Sequence, residues 1–556
     1  MTPELRDGRI AGLQDAVIRY HDGTKHQFGR FARSLGYLDW ASQPRPFRAF
    51  AGSKVRVLHP APDAPGPALV FPPVSYDRLF VQSALVTPIT PAAIGDVLRH
   101  ALGLTAWKVH QRARWSLRAN PSSGNLHPTE AYVVAGSAAG LADSPAVWHY
   151  APDRHVLEQR AEFDPGDWNA AGLGAGDDVL LVALTSIHWR EAWKYGERAF
   201  RYCQHDLGHA IAALSLAAAL HGWRVTMARH WSHADIAGLV GIDRNEDFVE
   251  AEHEEPACLL VAAAGRDPSV LLPHRLLAEA VRRGRWCGHA SQLSEEHVQW
   301  TFIDEVAHAT VDMGQAGQAD RRTPKAESFA LPDRGLDARR ILLQRRSALA
   351  FDGASGLTRA AFLRMLQRTL PQAGAPWDAM WWPASIHLAL FVHRVVDVEP
   401  GLYLLSRSEA DTARLRVHLH QGFQWEPIQS GLPLFRLHAG DYRRQSMRIS
   451  CDQDIAADGF FSLGMIADFD RRLSENGAFF YRHLFWESGV IGQVLYLEAE
   501  AAGARATGIG CFFDDPMHDL LGLEGHAFQS LYHFTVGAPV DDGRLTTEPG
   551  YAWERP

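Results

Sequence analysis

Two stretches of this chain carry one pattern at a fixed distance: KYGERAFRYCQHDLGHAIAALSLAAALHG at 194–222 and ENGAFFYRHLFWESGVIGQVLYLEAEAAG at 475–503. A constant offset of 281 aligns them, and seven positions between Gly196 and Gly222 are then identical. Unrelated helices rich in Ala, Leu and Gly would share roughly two or three. Phe200 meets Tyr481, and Asp206 meets Glu487. A repeat of this spacing makes a chain of 556 residues two copies of one unit rather than one oversized core.

The order of elements recurs with the repeat. A helical pattern opens near Pro91, with Pro at the start and Gly103 near its end. Strand-like runs follow at Ala131–Ala135, Val179–Leu184 and Cys258–Ala263, and a long helix is expected from about Glu191 to His221. In the second half, Arg359–Leu370 and Gly489–Ala502 read as helices, and His387–Val392, Phe461–Ile466 and Leu531–Val536 as strands. The first 85 residues show no long periodic element and read as an extension wrapped over a neighbouring domain. The expected division is an extension over 1–85, a first domain over 86–272, a helical segment and linker over 273–333, and a second domain over 334–556. The polar run GQAGQADRRTPKAES is the linker candidate.

Composition removes several classes. Hydrophobic residues at 46%, charged at 21% and aromatic at 10% describe a folded soluble chain, which excludes disordered and fibrous proteins. A net charge of −9 offers no attraction to nucleic acid or an anionic membrane. No signal peptide or membrane span is expected, so the expected location is the cytoplasm. Five scattered cysteines without a CxxC pair suggest neither a disulfide framework nor a thiolate zinc site. The 28 histidines raise a metal hypothesis, and His205, Asp206 and His209 form H-D-x-x-H on a predicted helix. The repeat partners Trp486, Glu487 and Val490 keep the acid but neither imidazole. That pattern favours a helix-start and packing role for the acid, and no metal is expected.

Four motifs remain. The loop RANPSSGNLHPTE at 118–130 offers Pro121, Ser122, Ser123, Gly124 and Asn125 before a strand, with short donors suited to a polar ring edge or an anion. Gln344-Arg345-Arg346-Ser347 supplies paired guanidinium groups and a hydroxyl of the kind that grips phosphate. Gly508-Ile509-Gly510 permits close approach of backbone to a ligand. Lys194-Tyr195 could form a proton-transfer pair if burial held the lysine neutral. Each half carries pieces that the other lacks. A solvated surface explains any one of these motifs taken singly.

Together, PSSGNLHPTEAYVV, WKYGERAFRYCQHDLGHA, QRRS, GIGCFFD and LYHFTVGAPVDDGRL resemble the nitroreductase-like flavin family, most closely its SagB-type, azoline-oxidising branch. The resemblance implies an α+β fold of two tandem nitroreductase-like sandwich domains, forming an intrachain pseudo-dimer with FMN between the halves. It implies cofactor binding by Arg345, Arg346, Ser347, Arg544, the Pro121–Asn125 loop and Gly508, Ile509 and Gly510. It assigns proton abstraction to Lys194 and Tyr195. The reciprocal site, with Val225-Thr226-Met227-Ala228 in place of the glycines, is expected to be degenerate. The implied reaction is two-electron oxidation of a small-molecule, peptide-borne or carrier-borne heterocycle in a biosynthetic pathway, without nucleic acid or membrane partners. The alternatives are an NAD(P)H-dependent nitro or quinone reductase, a non-catalytic scaffold of a peptide-modification complex, and a metal hydrolase at His205 and His209.

Overall fold

A computed structural model describes residues 3–59, 71–83, 85–173, 178–270, 275–314 and 331–554. The linker candidate after Gly314 lies outside the described residues. The first half contains β1 (Thr129–Ala135), β2 (Ala146–Ala151), β3 (Val156–Glu162), β4 (Val179–Ser186), β5 (Trp223–Met227) and β6 (Glu255–Ala264). They form an antiparallel sheet in the order β3-β2-β1-β4-β6-β5. The second half contains β7 (Ile386–Val392), β8 (Gly401–Leu405), β9 (Leu432–Ala439), β10 (Phe461–Asp468), β11 (Arg505–Ile509) and β12 (Phe528–Gly537). Their order, β9-β8-β7-β10-β12-β11, is the same arrangement advanced by six.

Both faces of each sheet are covered, which explains the near-continuous apolar runs in strands that would otherwise alternate. Val133, Val182 and Leu260 face a central core that also takes Leu388, Leu390, Leu463 and Phe534 from the second sheet. Tyr132, Val134, Leu181 and Leu259 point the other way, against Ile236, Leu239 and Leu277 of outer helices. Between the sheets lie α1 (Ala199–Ala219) and α2 (Phe480–Ala501), each buried almost along its whole length. Their polar side chains, such as Arg201, Asp206 and Glu487, are buried with them and so need partners inside the fold.

These helices cross at the aligned glycines of the repeat. A Cβ on Gly208 would collide with the Trp486 carbonyl oxygen and stand 2.8 Å from the Gly489 Cα; a Cβ on Gly489 would stand 2.8 Å from the Gly208 Cα. Small residues are needed there because two backbones occupy the space of side chains.

The structure changes two sequence expectations. The single helix expected from Glu191 to His221 is broken: one helix covers His188–Tyr195, a short 3-10 turn Gly196–Arg198, and α1 follows. Gly196 sits at φ 55°, and a Cβ there would collide with the Arg33 carbonyl oxygen. The N-terminal extension does contain a long element, a helix over Pro3–Gly23, whose low amphipathicity hid it from a periodicity reading. The extension nevertheless wraps: Val55–Val57 pairs with β3, Phe50–Ala51 pairs with His289–Ala290, and His26 bridges to Phe513. The C-terminal strand Thr546–Pro549 joins the Leu104–His110 and Ala113–Arg118 hairpin of the first half. No helix among the described residues is long and apolar enough to cross a membrane.

Gly489→Ala should lower unfolding stability by about 1–3 kcal/mol through overpacking at the helix crossing. Gly12→Ala, in a helix with nothing within 4 Å, should be neutral or slightly stabilising. Chemical denaturation of the two variants checks the contrast.

Candidate functional site

The Pro121–Asn125 loop is fastened from behind by the repeat's acidic residue. The Ser123 backbone N–H and hydroxyl each donate to Asp206 Oδ1 at 3.0 Å. The His127 N–H donates to the Ser122 hydroxyl at 2.7 Å, and Asn125 Nδ2 donates to the Ser116 carbonyl at 2.8 Å. Gly124 has φ 57°, and a Cβ there would lie 2.6 Å from the Tyr195 hydroxyl. This corrects two expectations. Asp206 is eight residues into α1, too far along to serve the helix start, and it anchors the loop instead. The Ser123 donors are spent on that anchor rather than offered to a ligand.

The second half supplies the opposite wall. Arg345 is buried and donates to the carbonyls of Arg118 at 2.9 Å and Ala119 at 3.1 Å, tying its arm to the first half. Arg346 donates to the Thr105 carbonyl at 3.0 Å. Tyr496 joins two of the motifs: its hydroxyl lies 2.9 Å from the Ser347 hydroxyl and accepts from the Gly508 N–H at 2.9 Å. The glycines at 508 and 510 answer to packing, because a Cβ at either position would collide with the Tyr532 hydroxyl or the Tyr202 ring. They make room for two tyrosines, and both glycines also line the cavity between the two walls.

A cavity of about 790 Å³ is lined by Pro121, Ser122, Ser123, Gly124, Asn125, Tyr195, Arg345, Arg346, Ser347, Gly508, Ile509 and Gly510. Lys194 and Arg544 do not line it. Lys194 is solvent-exposed with its Nζ 5.2 Å from the Tyr195 ring centroid, so the desolvation expected to keep it neutral is absent. Arg544 is 78% exposed and pairs with Asp542 at 2.8 Å, which takes it away from any phosphate role in this structure. Sequence reasoning missed Lys108, Arg505, Tyr202, Tyr496 and Tyr532, all on the cavity wall. Arg505 was findable, since the repeat offset aligns it with Arg224.

Like charges crowd one part of this wall. Burial pushes Arg346 down to about 10, with Arg345 and Arg505 adding to the effect. Burial, Arg346 and Arg505 also lower Lys108. Two acids face these cations, Glu500 beside Arg345 and Arg346, and the largely exposed Asp541 2.8 Å from Arg505. A cluster of four cations short of acids is the chemistry of an anion site. Elsewhere on the wall, burial and then Glu191 hold Tyr195 well above the usual phenol range, so its hydroxyl stays a donor. Glu191 is itself buried and held far above the carboxylate range by burial and by Asp206. Of the histidines of H-D-x-x-H, His205 stacks on Tyr532 with centroids 4.0 Å apart, whereas His209 lines the cavity with its Nε2 3.2 Å from the Tyr532 hydroxyl. Cysteines scattered in sequence do meet in space, with Cys451 Sγ and Cys511 Sγ 2.9 Å apart.

The reciprocal position also holds a cavity, of about 860 Å³. Glu487 repeats the anchor by accepting from the Ser385 N–H at 3.0 Å, directly before β7. The lining differs, with Trp381 and Trp382 near the loop and Val225, Thr226 and Met227 along the strand. Arg407, which also lines it, is engaged by Glu487.

Comparison with known proteins agrees with this architecture. Residues 85–251 match the model of the Nitroreductase family. A nitroreductase-type protein of Methanocaldococcus jannaschii is 25% identical over 147 residues, covering 25% of this chain and 69% of its own. The crystal structure of a nitroreductase-type protein from Anabaena variabilis superposes with a TM-score of 0.67 at 21% identity, covering 94% of this chain and 99% of that one. That likeness extends the shared fold over nearly the whole molecule. A smaller relative from Ralstonia eutropha covers 41% of this chain and 96% of its own at 16% identity and a TM-score of 0.26.

Burial pushes the Asp206 carboxyl up to about 7, against the lowering by its Ser122 and Ser123 hydrogen bonds. The folded state therefore holds this proton more tightly than the unfolded chain. That stabilising contribution is complete below the ordinary carboxyl value of about 4 and is lost as pH rises through about 7. The denaturation midpoint should fall over that window, and Asp206→Asn, which keeps an acceptor for Ser123, should flatten the fall. An unchanged slope in the variant would contradict this.

Proposed function

We propose that this protein, whose residues 85–251 are a nitroreductase-family domain, is an FMN-dependent oxidoreductase built as an intrachain pseudo-dimer with one flavin site. The observation that carries this reading is the convergence in one cavity of a cationic arm from the second half and a fastened polar loop from the first. The donor set fits a flavin mononucleotide: a cation cluster for the phosphate, an aromatic and amide-bearing wall for a flat ring system, and a volume ordinary for such ligands. Arg345, Arg346, Arg505 and Lys108 would hold the phosphate, and Ser122, Gly124 and Asn125 would border the ring. When bound, the flavin supplies two-electron chemistry by exchanging a hydride at its N5.

The protein's own contribution is positioning and proton handling. Asp206 fixes the loop, Tyr496 couples Ser347 to Gly508, and Tyr195 presents a hydroxyl against Gly124 inside the cavity. Oxidation of a peptide- or carrier-borne azoline needs a proton removed. Tyr195 is the member of the Lys194-Tyr195 pair that lines the cavity, and Lys194 beside it would take that proton only with a bound substrate covering its exposed ammonium group. A second reading draws on a specific observation: Tyr195 is held protonated, which suits hydrogen-bond donation to a nitro or quinone-type oxygen during reduction by a nicotinamide. The reciprocal cavity keeps the acidic anchor and is also lined by Arg224 and Arg229, but Val225, Thr226 and Met227 stand where the glycines would be and Trp381 and Trp382 border its loop, and this supports a single flavin per chain.

Purified protein should be yellow and release one FMN per chain on denaturation; none, or two, would overturn the reading. Arg505→Gln should weaken FMN binding by about tenfold without moving the unfolding midpoint. Tyr195→Phe should keep the flavin and slow turnover by about 100-fold or more. Anaerobic mixing with NADPH separates the two readings, since bleaching of the flavin spectrum belongs to the reductase alone.

A further inference from the structure

Cys511 follows the Gly508–Gly510 segment and lines the cavity. Its Sγ lies 2.9 Å from Cys451 Sγ and 3.7 Å from His26 Nδ1. Three separate parts of the chain build this cluster: the extension, the turn after the Arg443–Ile449 helix, and the segment after β11. It is held firmly. The His26 N–H donates to Asp514 Oδ2 at 2.9 Å, and the Asp514 N–H donates to the His26 carbonyl at 3.0 Å. Arg198 bonds Asp514 at 3.0 Å and the Gly510 carbonyl at 3.2 Å. Gln453 Nε2 donates to the Cys511 carbonyl at 3.1 Å. Cys451 and Asp452 have φ of 56° and 54°, a left-handed pair that turns the Cys451 side chain toward its partner.

We propose that Cys511 and Cys451 form a thiol–disulfide exchange site on the wall of the cavity, with Cys511 the attacking thiolate and small-molecule disulfides the oxidising substrate. Cys511 is the thiol of the pair that lines the cavity, and its hydrogen bond with Cys451, then His26 and Arg198, hold its pKa below the ordinary thiol value. Thiolate character, access from the cavity and a resolving thiol in reach are the three conditions for this chemistry. Burial raises the thiols of Cys203 and Cys258, so they stay inert.

The steps balance as follows. The Cys511 thiolate attacks one sulfur of RS–SR, forming Cys511–S–SR and releasing RS⁻. The Cys451 thiol then attacks the Cys511 sulfur, giving the Cys451–Cys511 disulfide and RSH, its proton leaving with the second thiol. Two protein thiols are oxidised and one external disulfide is reduced. The sulfurs approach from 2.9 Å to about 2.05 Å, a small movement at an already close pair. A zinc ion would instead hold two thiolates about 3.8 Å apart in tetrahedral geometry, so the observed spacing favours the disulfide. Closure would tie the end of β11, which carries the cavity's glycines, to the turn after the Arg443–Ile449 helix. This inference does not depend on which cofactor the cavity takes.

The test is a redox titration of the full-length protein with glutathione or the smaller bis(2-hydroxyethyl) disulfide. Remaining thiols are alkylated and mapped by peptide mass spectrometry. The expected result is joint protection of Cys451 and Cys511 as one cross-linked peptide pair, while Cys203 and Cys258 remain thiols. Cys451→Ser should trap the mixed disulfide on Cys511, and Cys511→Ser should abolish both products. Full alkylation of both thiols at every ratio would overturn the proposal. So would a stoichiometric zinc ion that blocks oxidation until it is chelated.

Discussion

The backbone contact between Gly208 and Gly489 is the constraint on which the rest of the structure depends. Two helices can cross with their backbones in contact only where neither carries a Cβ, and both copies of the repeat keep glycine there. The crossing sets the distance between the two sheets, and their inner faces then share one continuous core with both helices. Asp206 and Glu487 stand two residues before the glycine in each helix. Fixing the crossing therefore fixes where each carboxylate meets the loop that precedes its sheet's central strand.

From that point the halves diverge. Asp206 accepts only from hydroxyl and amide donors and faces a loop of small residues. Glu487 is neutralised by Arg407 and also accepts from Trp382 Nε1 at 3.2 Å. The same anchor thus supports an open polar rim in one place and a tryptophan-lined wall in the other. The cations differ likewise: Arg345 and Arg346 reach across to carbonyls of the first half, whereas in the reciprocal cavity Arg407 pairs with Glu487 and Arg224 with Asp267. Mutually destabilising positive charges persist in a fold when an anion offsets them.

Much of this was legible in the sequence. The repeat offset anticipated the helix pair, and apolar runs such as VLLVAL and HLALFV marked the central strands. Glycine and proline punctuation placed the loop before β1. What the sequence concealed was mostly tertiary. Lys194 beside Tyr195 could act as a proton-transfer pair only if buried, but in the helix His188–Tyr195 the lysine faces solvent. Arg544 reads as a cation near the C-terminus, yet Asp542 two residues away captures it. Gly508 and Gly510 signal tight approach without saying that tyrosines are what approach. Cys451 and Cys511 meet only because the extension, a turn and a strand end converge. The Pro3–Gly23 helix escaped notice because its faces differ little in hydropathy.

The central claim is that the binding site is composite, with the phosphate held by the second half together with Lys108 of the first, and the ring bordered by the first. A crystal structure of the protein grown with excess FMN tests it most directly. The account predicts flavin density in the cavity between Arg345 and the Pro121–Asn125 loop, its phosphate among Arg345, Arg346, Arg505 and Lys108. Density in the reciprocal cavity beside Trp382 and Arg407, or a ligand contacting one half alone, would contradict it.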